Sequence, residues 1–279
     1  EINNSLLSEK EISLYVLQLD KIHPEINGNK YFKLKYNLEE AKKNNSNCIL
    51  TFGGAYSNHL LATAFAGKNS GIKTIGIVRG EELKADSNPL LKKCAELGMQ
   101  LHFISRTEYR KKEEADFIGN LQKEFGNFLL VPEGGSNKLA VKGASEISDL
   151  IKIDFDFICC ACGTGGTIAG ISKNLKPHQK TIGIAVVNAP EYFQKQISEL
   201  LSEKKIPENI ILNHDFHFGG YAKSSPELES FSKSFTEENK IPLDPIYNAK
   251  LFYGLADLIR NNYFKRGSVV VGLNTGGYL

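Results

Sequence analysis

The sequence predicts an α/β protein built on parallel sheets. Short apolar runs alternate with stretches of helical periodicity along the whole chain, which is the pattern of βαβ units. The run from Phe155 to Cys162 is almost wholly apolar, as a strand covered on both faces requires. Several predicted strands end in glycine-rich turns that lead straight into helices, and open parallel sheets bind ligands at such turns.

Taken in order, residues 13–20 form the first predicted strand, with Tyr15, Leu17 and Leu19 on one face. A loop with Pro24 and Gly28 leads to a helix in which Tyr31, Leu34, Leu38 and Ala41 recur at helical spacing. Residues 48–52 are a strand broken by Gly53-Gly54, and residues 58–66 are small and apolar enough for a buried helix. After a strand at 74–78, the next helix has Asp86 or Ser87 as cap, Pro89 in its first turn and Gly98 at its end. A strand at 101–104, a charged helix at 108–124, a strand at 128–131 and a helix at 138–151 follow. Beyond the 155–162 strand come a helix to Leu175, a strand at 181–187, a helix at 190–204 and a short strand at 210–213. Helices at 226–239 and 249–263 and a strand at 268–273 complete the pattern. The 279 residues suffice for two modest domains. No Ser/Gly linker is visible, so two lobes joined by ordinary loops are expected: residues 1–35 with 140–279, and an inserted smaller domain at 36–139.

A hydrophobic fraction of 41%, a charged fraction of 24% and a net charge of +2 are ordinary for a globular protein. They offer no bulk attraction to nucleic acid or a membrane surface, and no apolar run approaches the roughly 20 residues of a membrane span. The opening Glu1-Ile2-Asn3-Asn4 is polar and does not read as a signal peptide. Five cysteines at irregular spacing are not a disulfide framework. Cys159, Cys160 and Cys162 fall in an apolar strand whose side chains alternate faces, so they read as reduced buried thiols. A cytoplasmic location is expected on that basis. His214, Asp215 and His217 offer no third ligand at helical spacing, and no metal site is expected.

Three turns carry the chemistry, together with a Gly28-Asn29-Lys30 turn that opens a helix. Gly163, Thr164, Gly165, Gly166 and Thr167 lie between an apolar strand and a helix, where converging backbone N–H groups make an anion cradle. No Gly-Lys-Ser/Thr follows, so this is not a Walker loop, and the third glycine of a dinucleotide fingerprint would fall at Ile168. A nicotinamide-dependent oxidoreductase is therefore the weaker enzyme class. Ser57 and Asn58 stand where a helix should start and suit simple capping as well as binding. Thr275, in Asn274-Thr275-Gly276-Gly277, places a hydroxyl where it can meet a ring nitrogen or a carboxylate. A lysine that loses its proton readily forms imines. Lys30 beside an anion cradle thus suits a small phosphorylated aldehyde, and pyridoxal phosphate fits.

Six motifs occur in family order: Gly28-Asn29-Lys30-x-x-Lys33-Leu34, Gly53-Gly54-x-x-Ser57-Asn58-His59, the 163–167 loop, Gly220-Tyr221, Asp244-Pro245-x-Tyr247 and Thr275-Gly276-Gly277. On these the chain resembles the fold-type-II pyridoxal-phosphate enzymes, with the tryptophan synthase β-subunit-like fold. Within them it is similar to the group of 1-aminocyclopropane-1-carboxylate (ACC) deaminase and D-cysteine desulfhydrase. The resemblance implies that Lys30 bonds the cofactor aldehyde, that Asn58 meets its phenolic oxygen, and that Lys33 and the 163–167 loop hold its phosphate. It implies that Ser57 faces the substrate as carboxylate ligand, base or nucleophile, and that Tyr221 and Tyr247 flank the substrate. It further implies a large cofactor-binding domain with a smaller inserted one, a small amino-acid substrate and a homodimer.

Three stretches depart from the family pattern, and one residue separates its two activities. The family's Lys-x-Arg-Lys is Lys30-Tyr31-Phe32-Lys33 here, and its Arg-Asp-Asp is Gln18-Leu19-Asp20. Asn248 stands where ACC deaminases place Glu beside the pyridine nitrogen, and an amide cannot hold that nitrogen protonated as a carboxylate does. His59 follows Ser57-Asn58 as in the desulfhydrases. The resemblance therefore implies a lyase of the desulfhydrase kind, eliminating a β-substituent to give a 2-oxo acid and ammonia. ACC deamination is the alternative, and a cofactor-binding member without turnover is a third reading.

Overall fold

The computed structural model describes residues 1–277. Its strands are β1 (Ser13–Gln18), β2 (Cys48–Gly53), β3 (Lys73–Arg79), β4 (Gln100–Ile104), β5 (Leu129–Val131), β6 (Phe157–Cys162), β7 (Lys180–Ala185), β8 (Ile210–Asn213) and β9 (Val269–Asn274). They form two sheets, one ordered β1-β9-β6-β7-β8 and one ordered β4-β3-β2-β5. Every paired neighbour runs parallel. β6 sits third in the larger sheet, which accounts for its apolar run.

The helices are α1 (Ser5–Lys10), α2 (Asn29–Lys43), α3 (Asn58–Ser70), α4 (Pro89–Glu96), α5 (Arg106–Tyr109), α6 (Ala115–Phe125), α7 (Lys138–Ser145), α8 (Gly166–Ser172), α9 (Pro190–Leu201), α10 (Pro226–Asn239) and α11 (Asn248–Arg260). One face of the larger sheet is covered by a core that includes Phe32, Val141, Ile168 and Ile197. On the other face, Leu7, Leu228, Phe252 and Leu255 form a second core. The smaller sheet is covered by Leu121 with Phe52 and Ile77 on one side, and by Leu60 and Leu91 on the other.

Three elements differ from expectation. The helix α1 carried no periodic signal; its Asn4 side chain caps it by accepting from the Leu7 N–H at 2.9 Å. The expected helix at 108–124 is two helices. Ser105 and Glu108 close a capping box at α5, and the charged stretch Arg110-Lys111-Lys112-Glu113-Glu114 has no apolar residue to bury, so the chain turns before α6 resumes. The expected helix at 138–151 ends at Ser145 and continues as a 3₁₀ turn at Ser148–Leu150. Residues 35 and 140 lie inside α2 and α7, not in loops.

Helix α2 is held in place by a close crossing with α7. A Cβ on Gly143 would lie 1.9 Å from the Phe32 carbonyl oxygen, so only glycine permits the approach. Gly143→Ala is expected to destabilise the protein by about 1–3 kcal/mol through overpacking against rigid backbone. Gly119→Ala, in α6 with open space around it, should instead be neutral or stabilising by up to about 1 kcal/mol. Chemical denaturation of the two variants checks the contrast; equal stabilities would refute it.

Candidate active site

A cavity of about 770 Å³ opens where the carboxyl ends of β2, β6 and β9 approach one another. Lys30, Lys33, Ser57, Asn58, residues 163–167, Tyr221, Tyr247 and Thr275 all line it. Of the residues given a cofactor or substrate role from the sequence, Asn248 alone does not line it.

The lysines enter from the first turns of α2. Gly28 caps that helix with φ +59°, and its missing side chain leaves room for the Thr275 carbonyl, which a Cβ would meet at 1.7 Å. The turn before Lys30 thus lies directly against the turn after β9. Lys30 and Lys33 share one helix face by their spacing. Burial pulls the Lys30 amine down to about 8. Lys33 is only 1% exposed, and burial first, then the charge of Lys30, pushes it well below the usual lysine range.

The groups around Lys33 suit an anion. Its Nζ donates to Ser136 Oγ at 2.8 Å, and Ser136 in turn bonds Thr164 Oγ1 at 2.6 Å. Asn29 Nδ2 donates to Thr167 Oγ1 at 2.7 Å, which leaves the Thr167 proton free to donate elsewhere. A Cβ on Gly166 would sit 2.6 Å from Ser136 Oγ and 2.9 Å from Lys33 Nζ, so the bare backbone lets the loop reach the ammonium. A buried cation with hydroxyls and no carboxylate beside it is a donor set for phosphate. Ser136 was not singled out from the sequence; its place after Gly134-Gly135 was the available signal.

Asn58 and His59 supply the opposite wall. Thr51 Oγ1 donates to the Val131 carbonyl at 2.7 Å and therefore accepts from His59 Nε2 at 2.9 Å. That fixes the tautomer and leaves a lone pair on Nδ1. Burial, then Lys30 and Lys33, push the imidazole well below its ordinary range, so it is neutral. His59 Nδ1 and Asn58 Oδ1 are buried without a hydrogen-bond partner. Orphaned polar atoms facing a cavity are what a bound polar ring would satisfy, so the residues present fit pyridoxal phosphate. Ser57 caps α3, accepting from the Leu60 N–H at 3.3 Å, and keeps its own proton.

Tyr221 and Tyr247 meet edge to face with ring centroids 6.0 Å apart. Burial raises both phenols, Tyr247 the more strongly, so both are proton donors at neutral pH. Asn248 stands one layer behind the cavity, and this corrects its expected contact with a cofactor ring. Its Nδ2 donates to the Gly276 carbonyl at 3.2 Å, and its Oδ1 accepts from the Thr275 N–H at 3.1 Å and the Thr275 hydroxyl at 3.2 Å. Both ends of the amide thus bond the Thr275 turn. Among the described residues no group of three or more His, Cys, Asp or Glu side chains is placed to hold a metal. All five cysteines are buried and unpaired.

A family model described as pyridoxal-phosphate dependent enzyme matches residues 5–276. A Thermotoga maritima protein, provisionally named a 1-aminocyclopropane-1-carboxylate deaminase, is 32% identical over 97% of this chain and 91% of its own length. An Arabidopsis thaliana protein, named a bifunctional D-cysteine desulfhydrase/1-aminocyclopropane-1-carboxylate deaminase, mitochondrial, is 31% identical over 95% of this chain and 72% of its own. A crystal structure described as that of an ACC deaminase homologue superposes with a TM-score of 0.80 at 27% identity, covering 98% of this chain and 87% of the other. With a depressed lysine, an anion cradle and a match along nearly its whole length, the chain belongs to the pyridoxal-phosphate dependent enzymes.

Proposed function

We propose that the protein is an amino-acid lyase of the D-cysteine desulfhydrase kind, converting D-cysteine and water to pyruvate, hydrogen sulfide and ammonia. The observation that carries this reading is Lys30, an amine drawn down to about 8 in the wall of the cavity beside the Lys33 cradle. Bound pyridoxal phosphate supplies an aldehyde for an amine and a ring that stores the charge left when a proton departs from a substrate carbon.

The chain's own residues do the rest. Lys30 is neutral often enough near pH 8 to act as a nucleophile and then to carry the proton it takes. Lys33, Ser136, Thr164 and Thr167 bind the phosphate. Asn58 meets the phenolic oxygen. Ser57 directs its free proton at the substrate carboxylate, and Tyr221 and Tyr247 close over the substrate, excluding water and donating a proton to the departing sulfur. Thr275, oriented by Asn248, would meet the ring nitrogen with a neutral hydroxyl. With Asn248 behind it in place of a carboxylate, no negative charge is supplied on that side, which favours elimination of a good leaving group over opening of a cyclopropane. The relatives' names support ACC deamination, giving 2-oxobutyrate and ammonia, as the second reading.

The two sheets support a division into a larger and a smaller lobe, with α2 and α7 as the connecting elements in place of loops. A homodimer accords with the family resemblance. The five unpaired thiols support a cytoplasmic setting; among the described residues no helix is long and apolar enough to cross a membrane.

Three outcomes test the reading. Purified holoenzyme should release pyruvate and sulfide from D-cysteine faster than 2-oxobutyrate from ACC; the reverse order would favour the second reading. Lys30→Ala should lose the visible absorbance of lysine-bound cofactor and fall by at least about 10³-fold in kcat, as removal of a nucleophile does; normal turnover would sink the assignment. The rate at which the apo-protein takes up the aldehyde should rise with pH through about 8 and then level off, because the reactive amine is the deprotonated form. A rise that continues to the ordinary lysine range, seen by stopped-flow absorbance, would place the reacting amine elsewhere.

A further inference from the structure

The loop that carries Tyr221 is an unusual piece of backbone. Phe218, Gly219, Gly220 and Ala222 all have positive φ, at 52°, 88°, 125° and 57°. A bulky residue such as Phe218 in the left-handed region is strained and persists only where its surroundings hold it. Among the described residues the turn makes three bonds of its own, the first from the Gly219 N–H to His217 Nδ1 at 2.9 Å. The Gly220 N–H donates to the His217 carbonyl at 3.0 Å, and the Lys223 N–H donates to the Gly220 carbonyl at 3.1 Å.

What holds the loop is a lysine. Lys250, in the first turn of α11, is 0% exposed. Its Nζ donates to the carbonyls of Gly220 at 2.7 Å and His217 at 2.8 Å, with the Val186 carbonyl at 3.5 Å. Among the described residues no carboxylate lies in salt-bridge contact with it. Burial draws this amine down to about 8, and the charge of Asp244 opposes the fall, so at neutral pH it is an ammonium held by backbone carbonyl oxygens and not by a carboxylate in contact. That is the environment in which a monovalent cation is held once carbonyl oxygens replace its water shell. The three carbonyls come from the end of β7, from just before the strained turn and from within it, so the charge ties the loop to the sheet and to α11.

We propose that Lys250 is a positioning residue that serves as a tethered monovalent cation, gathering these carbonyls and so holding Tyr221 against Tyr247 over the cavity. The inference rests on the reading of Tyr221 as a substrate-facing residue. The same helix turn carries Tyr247, so one end of α11 fixes both members of the aromatic pair. An unbranched apolar side chain of nearly the same length, such as methionine, fills most of the space but leaves the carbonyls without a donor. A free cation of suitable size should replace the ammonium when the side chain is shortened.

The test uses holoenzyme carrying Lys250→Ala or Lys250→Met, with amide hydrogen exchange over residues 216–222 as the first readout and kcat/KM for D-cysteine as the second. Potassium chloride is the probe and choline chloride the control at equal ionic strength; ammonium is avoided because it is a product. Wild type should show the same loop protection and turnover in both salts. Lys250→Ala in choline should lose loop protection and fall about 10- to 100-fold in kcat/KM, as a displaced site residue does. Potassium should restore most of both, and Lys250→Met, which blocks the space, should not respond. Wild-type loop protection in Lys250→Met would overturn the proposal, because shape alone would suffice. Loss in Lys250→Ala that potassium leaves unchanged would also overturn it, marking Lys250 as a packing residue. Should Lys250→Ala fail to fold in choline, recovery of folded protein in potassium supports the proposal, and failure in both salts counts against it. Hydrogen exchange needs no turnover. Absent D-cysteine activity with the expected exchange pattern would therefore fault the functional reading alone.

Discussion

Two amines side by side in one protected wall are the constraint around which the rest of this structure is arranged. Burial strips water from both Lys30 and Lys33, the charge of Lys30 adds to the effect on Lys33, and these costs favour the neutral forms. The neighbouring groups limit those costs without adding charge. Ser136 accepts from Lys33 and passes to Thr164, Asn29 orients Thr167, and Thr51 holds His59 in a neutral tautomer. Among the described residues neither Lys30 nor Lys33 forms an ion pair with a carboxylate. A phosphate held there would supply the missing countercharge and relieve a stress already present in the protein.

A second point of control is the start of α11. The buried Asp244 carboxylate accepts from the N–H groups of Ile246, Tyr247 and Asn248 at 3.0, 2.8 and 3.0 Å. Burial raises its pKa, and these three bonds oppose the rise. From the turn it fixes, Tyr247 lines the cavity, Asn248 clamps the turn after β9, and Lys250 reaches the loop of Tyr221. Three parts of the site thus take their position from one helix end. Another, α2, is set by the close approaches at Gly28 and Gly143.

Most of the fold was legible in the sequence because parallel strands buried on both faces leave long apolar runs, and Pro, Gly, Ser and Asn punctuate the helices between them. The failures have local causes. Helix α1 is a single short stretch stabilised by its cap and by packing of Leu7, with no repeat to detect. The break between α5 and α6 lies in a charged segment where helix propensity is high but no face can be buried. Residues 35 and 140 were reasonable places for loops by position, yet α2 and α7 continue through them, because helices that pack on two neighbours at once need no break.

The cavity-lining residues were legible for a different reason. Glycine turns, cap residues and a lysine after Gly-Asn form local patterns, and local patterns survive in a sequence. By itself the sequence determined the alternation of strands and helices, the Lys30 turn, the 163–167 loop and the family. Only the tertiary structure decided that Asn248 supports Thr275 from behind, that Ser136 completes the Lys33 cradle, that His59 presents an unpaired Nδ1, and that Lys250 grips the Tyr221 loop. Each of these depends on hydrogen bonds between segments from about 30 to 100 residues apart. No pattern along the chain specifies such bonds, since the direction of a side chain's donors is fixed only when packing brings distant backbone carbonyls to meet them.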